Sequence, residues 1–259
     1  MHADMTQVSP APDAVAPTPR PAPVNTRHRN GPWPVRFYGS AVGKKWLMAV
    51  TGIMLFGFVF FHMFGNLKMY LGPTHYNEYS EWLKTILVPA LPKTGFLWIM
   101  RAGLIVAVIV HMHCAYSLTV MNRRARPVGY QSKRDYIAAN FASRTMRWTG
   151  IIVALFTIWH LMDLTWGWVN PDFEYGNTYA NVVHSLERWP VAIFYIVANL
   201  ALGFHLFHGL WSMFQSLGLN NPRWNSARRG FAATFAAIIT IVNISFPVYV
   251  LAGVVSLPK

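Results

Sequence analysis

Six of the ten histidines in this 259-residue chain, His62, His111, His113, His160, His205 and His208, lie in stretches that are otherwise almost wholly apolar. An imidazole in such surroundings is costly unless a partner takes up its nitrogens. Neutral imidazole is also the commonest metal ligand among side chains. A metal or a metallated cofactor is therefore the chemistry these residues suggest first.

The elements that must position them are membrane spans. The chain is 54% hydrophobic and only 12% charged, well under the roughly 25% charge of an average soluble domain. The stretches Trp46 to Leu67, Ala102 to Met121, Trp189 to Pro222 and Phe231 to Leu257 carry no acidic or basic side chain, and Trp148 to Trp168 carries only Asp163. Each can supply the ~20 residues that cross a ~30 Å hydrocarbon layer. The expected fold is all-α, an integral membrane protein with five transmembrane helices at about 46–67, 98–121, 148–168, 190–213 and 231–257, with the four that carry the histidines forming a bundle. A soluble helical protein is excluded, because little amphipathic surface would remain to face water.

Charge placement orients the spans. The formal net charge is +13, and all of it falls on the N-terminal segment and on the loops around 119–147 and 214–230. The positive-inside rule then puts the N-terminus in the cytoplasm and the C-terminus outside. Topology and anionic headgroups account for the basic side, so nucleic acid is not an expected partner. The single Cys114 excludes an internal disulfide and cannot by itself hold a cysteine-ligated cluster. Residues 1–34, rich in Pro and Ala, read as a disordered cytoplasmic tail in which His28 is solvated, and 35–259 as the membrane domain. Ser40 is a candidate helix cap at the first span. No internal repeat is expected beyond a histidine recurring late in the first four spans.

At 1.5 Å per residue the histidines fall at two depths. His62 and His160 lie late in spans that run outward. The second and fourth spans run inward and bring their histidines towards the cytoplasm. Two pairs follow, one outer and one inner, as two six-coordinate haems require; bis-histidine ligation leaves no site for oxygen and favours electron transfer. A zinc site would want three or four ligands at one level. His111 and His113, two apart, point to different sides of a helix and cannot both serve. His205 and His208 are three apart and share a face, so spacing leaves both choices open. Gly52, Gly57, Gly150, Gly203 and Gly209 could admit a flat macrocycle or serve as helix contacts.

Several segments now carry a resemblance: SAVGKKWLMAVTG from Ser40, FHMFGNL from Phe61, HCAY from His113, RWTG from Arg147, WH at Trp159-His160 and FHLFHGLWS from Phe204. Together, over about residues 36–257, they resemble the five-span, di-haem cytochrome b membrane anchor, formed by a single polypeptide, of the succinate:menaquinone oxidoreductase and fumarate reductase family. The resemblance implies two b haems, ligated by His62 with His160 on the outer side and by His113 with His205 on the inner side, leaving His111 and His208 as neighbours. It implies a respiratory-chain component that passes electrons from an iron-sulfur partner, itself served by a succinate-oxidising flavoprotein, to menaquinone at the outer end. Glu81 and Asp163, with Glu78, are the carboxylates placed to handle protons there. Where some relatives carry a glutamate two residues before the fourth histidine, this chain has Gly203, which puts a transmembrane proton route at that position in doubt. Two rival readings are a di-haem quinol-oxidising anchor of another respiratory enzyme and a haem-free transporter or structural membrane protein.

Overall fold

The computed structural model describes residues 31–125 and 137–258, without the side chains of 137–144. The expected tail up to residue 30 with His28, and the basic residues Arg126, Lys133 and Arg134, lie outside the described residues.

Five helices are long and apolar enough to cross a membrane, so the chain is an all-α, multi-pass membrane protein. The first is α2 (Ala41–Asn66), preceded by the short α1 (Trp33–Gly39). Ser40 caps α2, its hydroxyl oxygen accepting from the Gly43 amide at 2.9 Å, which satisfies one of the free donors at the helix start. The second is α4 (Gly95–Ala125), the third α5 (Ile137–Leu164), the fourth α7 (Trp189–Ser216) and the fifth α8 (Asn225–Leu251). Two shorter helices, α3 (Pro73–Thr85) and α6 (Thr178–Glu187), lie in the connections at one end.

The last span ends earlier than the apolar run suggests, at Leu251 rather than 257. Gly253, at φ +71°, turns the chain, with its amide bonded to the Val250 carbonyl and the Val254 amide to that of Tyr249. This is the Schellman closure, for which glycine is favoured at the left-handed position.

The helices pack as α2 on α4, α5 on α7 and α8 along α7, while α2 meets α5, and α4 meets α7, at isolated points at most. Two buried clusters hold this arrangement. Met63, Leu206, Ala236 and Ile239 join α2, α7 and α8. Met69, Tyr76, Tyr179, Val183, Leu186, Tyr195, Phe246, Val250 and Val255 tie α3 and α6 to α7 and α8. Polar bonds lock α3 to α6: Asn77 donates to Asn177 at 3.1 Å and accepts from the Tyr179 amide at 2.9 Å, and the Ser80 and Thr178 hydroxyls are 3.0 Å apart. The long connections at this end are thus folded caps, whose buried Tyr76 and Tyr179 are bonded to Asn66 and to the Ser256 carbonyl, as amphipathic side chains at such depth require. The opposite end carries Lys44, Arg123, Arg124, Arg147, Arg228 and Arg229 and is called the basic end below.

Candidate functional site

The site begins with two places where backbones must come close to a ring. On α2, Met48, Thr51 and Gly52 face His111 of α4. The His111 Nδ1 donates to the Met48 carbonyl at 3.1 Å and lies 3.2 Å from the Thr51 hydroxyl, whose own proton goes to the Leu47 carbonyl at 2.7 Å. A β-carbon on Gly52 would stand 3.5 Å from His111 Cε1. On α5, Thr149 and Gly150 face His205 of α7 in the same way. The Thr149 hydroxyl donates to the Thr145 carbonyl at 2.9 Å and sits 3.4 Å from His205 Nδ1. A β-carbon on Gly150 would stand 3.4 Å from His205 Cε1.

These two steps are copies. Met48-x-x-Thr51-Gly52 is followed by His62, and Met146-x-x-Thr149-Gly150 by His160, with every member offset by 98 residues. The expectation that no repeat exists beyond recurring histidines therefore misses one, and the signal that would have found it is this spacing.

His111 and His205 face each other across the space between α4 and α7, with ring centres 6.4 Å apart. His62 and His160 face each other between α2 and α5, with ring centres 5.8 Å apart and planes at 90°. The levels are separated by the eleven residues from Thr51 to His62, roughly 16 Å of helix. None of the four rings is sealed off: His62 is exposed and the other three are half-buried. Among the described residues no three His, Cys, Asp or Glu side chains converge as a metal cluster, so the donors come as facing pairs.

Two imidazoles bound to one metal through nitrogens at about 2 Å each place their ring centres roughly 6 Å apart. Both pairs have that spacing before any metal is considered. In the inner pair the hydrogen bonds hold the proton on Nδ1 and leave Nε2 as the free lone pair, as the outer bonds of a metal-binding histidine normally do. Two buried nitrogens close to these rings in sequence, Trp159 Nε1 and His208 Nδ1, have no hydrogen-bond partner among the described residues. The donor set and the gap fit a flat bis-imidazole cofactor at each level.

Sequence reasoning singled out other positions, and the structure puts them elsewhere. It brings His111, rather than His113, to His205. His113 is exposed and turns the other way, its ring stacked on Tyr38 and its Nδ1 2.5 Å from the Tyr38 hydroxyl. His208 is buried beside Phe207. Gly203 is filled by its neighbour: a β-carbon there would lie 2.1 Å from Thr240 Oγ1, so the α7–α8 contact has no room for a glutamate.

Of the carboxylates, Glu81 is exposed on α3 and paired with Lys84, with Lys93 at 3.5 Å. The hydrogen bond from Lys84 holds its carboxyl below the usual carboxylate range. Asp163 is fully buried one turn beyond His160, held by Ser185, by Arg188 at 2.8 Å and by Tyr195 at 2.8 Å. Beside the α2 end, a cleft of about 430 Å³ is lined by Lys68, His75, Glu78, Tyr79 and Trp82.

Neither the curated proteins nor the solved structures include a match to this chain. A family model does match: residues 121–244, from the end of α4 through most of α8 and including His160 and His205, correspond to the succinate dehydrogenase/fumarate reductase transmembrane subunit.

Proposed function

We propose that the chain is the membrane anchor of a succinate:quinone oxidoreductase, carrying electrons from an iron-sulfur partner at its basic end through two b haems to menaquinone at the opposite end. The observation that carries this reading is the pair of facing imidazoles at each of two levels, at 5.8 and 6.4 Å, in gaps between helices that barely touch. The family match over 121–244 supports it independently.

Each b haem, when bound, supplies a one-electron carrier with no open coordination position. The protein's part is to hold and orient. His62 and His160 would bind one haem. His111 and His205 would bind the other, in place of the His113 and His205 that the resemblance implies. Thr51, the Met48 carbonyl and Thr149 keep the inner imidazoles in the tautomer that presents Nε2. Gly52 and Gly150 let those rings lie against the helix backbone.

Menaquinone reduction consumes two protons, so its pocket needs groups that exchange them. The cleft of Lys68, His75, Glu78, Tyr79 and Trp82 combines aromatic walls with such groups, a few residues past His62. His75 and Glu78 are exposed and suit that exchange. Glu81, one turn further along α3, is held charged by its two lysines and suits attraction of protons to the cleft more than donation. On this reading the basic end faces the cytoplasm, where a flavoprotein and an iron-sulfur protein dock, in a bacterial inner membrane.

The test is a pyridine haemochrome assay on the purified complex. Two haem b per copy of this chain is the expected result. A haem-free complex with intact partners overturns the reading.

A further inference from the structure

Of the imidazoles in the two facing pairs, one is tied to something other than a neutral acceptor. His160 Nδ1 lies 3.3 Å from the Tyr195 hydroxyl. That hydroxyl has one proton, and it is directed to Asp163 Oδ2 at 2.8 Å. The Tyr195 oxygen is therefore the acceptor toward His160, and the chain runs Nδ1–H to Oη–H to carboxylate. Asp163 has no accessible surface. Its other oxygen takes the Arg188 guanidinium at 2.8 Å, and Ser185 donates to Oδ2 as well. Arg188 is anchored in turn by the Val169 carbonyl at 2.7 Å. The guanidinium is the carboxylate's counter-ion, and removing either partner would leave the other without its pair.

His111 Nδ1 meets the Met48 carbonyl and the Thr51 hydroxyl, and His205 Nδ1 meets the Thr149 hydroxyl. The His62 ring makes no hydrogen bond among the described residues. Only His160 ends on a negative charge.

We infer that Tyr195 and Asp163 are positioning residues that act through His160 to lower the reduction potential of the haem held by His62 and His160. This rests on the haem-anchor reading above. A hydrogen bond that draws the Nδ1 proton towards a carboxylate raises the electron density at Nε2, and a more basic axial ligand favours ferric over ferrous iron. Tyr195 and Asp163 are both buried, so the bond between them is screened little. Arg188 moderates the charge without removing the polarity of the chain, since it bonds to the oxygen that Tyr195 does not use.

The experiment is a spectroelectrochemical titration of the purified complex carrying Tyr195→Phe, and separately Asp163→Asn, after haem content has been measured. Phenylalanine keeps the ring that packs on Phe156 and removes only the hydroxyl. The expected result is two haems per chain, one potential unmoved, and the other raised so that its ferrous fraction at fixed potential grows roughly tenfold, about 59 mV for one electron. Asn at 163 moves the same haem in the same direction. Because that change leaves Arg188 without its counter-ion and threatens folding, Tyr195→Phe carries the decision. Either variant with both haems present and both potentials unchanged overturns the inference. A haem-free wild-type complex would instead overturn the anchor reading, so the two failures are told apart by the first measurement.

Discussion

Replacing His111 and His113 one at a time separates two rings that are neighbours in sequence and strangers in space. The ring centre of His111 is 6.4 Å from that of His205, whereas His113 stacks on Tyr38 with centres 5.8 Å apart. Residues two apart on a helix differ by about 200° in direction, so one substitution cannot mimic the other. His111→Ala removes half of the inner ligand set and leaves His205 facing an empty gap. The expected haem content then falls from two per chain to one, which halves the pyridine haemochrome signal per mole of protein. His113→Ala forfeits one hydrogen bond to a tyrosine at an exposed position, worth about 1 kcal/mol, and leaves both haems. The assay is haem stoichiometry on the affinity-purified complex, with the protein content set by amino-acid analysis. If His113→Ala halves the signal and His111→Ala does not, the inner ligand is His113 and the argument from ring separation is refuted.

Three further expectations concern packing, charge and capping. With a β-carbon placed 2.1 Å from Thr240 Oγ1, Gly203→Ala should destabilise the detergent-solubilised protein by about 1–3 kcal/mol through overpacking, and adding Thr240→Gly should restore most of the melting temperature; an unaltered melting temperature for the single variant would contradict it. Glu81, held low by the Lys84 hydrogen bond, has a depressed folded-state value, so its interaction is complete above the ordinary carboxylate range and is lost only as pH falls below it. Glu81→Gln should therefore leave the shape of the succinate:quinone pH profile unchanged above about pH 5, and an ionisation lost from that window in the variant would contradict the pairing. Ser40→Ala removes the side-chain cap on α2 and should cost about 1 kcal/mol, measured by thermal unfolding, with Ser40→Asp recovering it.

Spans, cap and charge asymmetry were readable because each depends on local composition. Twenty uncharged residues commit a segment to lipid whatever its neighbours do, and Ser40 caps because its extended backbone stands just before Ala41, with its hydroxyl in reach of the Gly43 amide. The choice between His111 and His113 is of another kind. It depends on how far α4 is rotated about its axis against α2, and that rotation is set by the fit of Gly52 and Thr51 to one imidazole, a contact between residues about 60 apart. Asp163 shows the same limit. Read along the chain it is a carboxylate near the end of a span, free for proton traffic; in space, Ser185, Arg188 and Tyr195 from α6, its C-terminal cap and α7 close over it. The folding of α6 onto α3 was also out of reach, because its polar bonds run between residues about 100 apart. Gly203 was legible as a departure but not as a cause, since Thr240 had to be seen against it.

The duplicated Met-x-x-Thr-Gly step has a consequence in the language of symmetry. Each facing pair joins corresponding positions of two copies: His62 with His160 at an offset of 98 residues, and His111 with His205 at an offset of 94. A scaffold built that way treats the two imidazoles of a pair as equals, and any difference between them has to come from side chains outside the repeat. Asp163 and Tyr195 are such side chains: by the same offsets their counterparts are Gly65 and Arg101, so the outer pair is polarised from one side only. The fifth helix, α8, has no counterpart and packs chiefly along α7, adding a second departure from equality. Of the two copies of this step, only the one that leads to His160 ends on a charge.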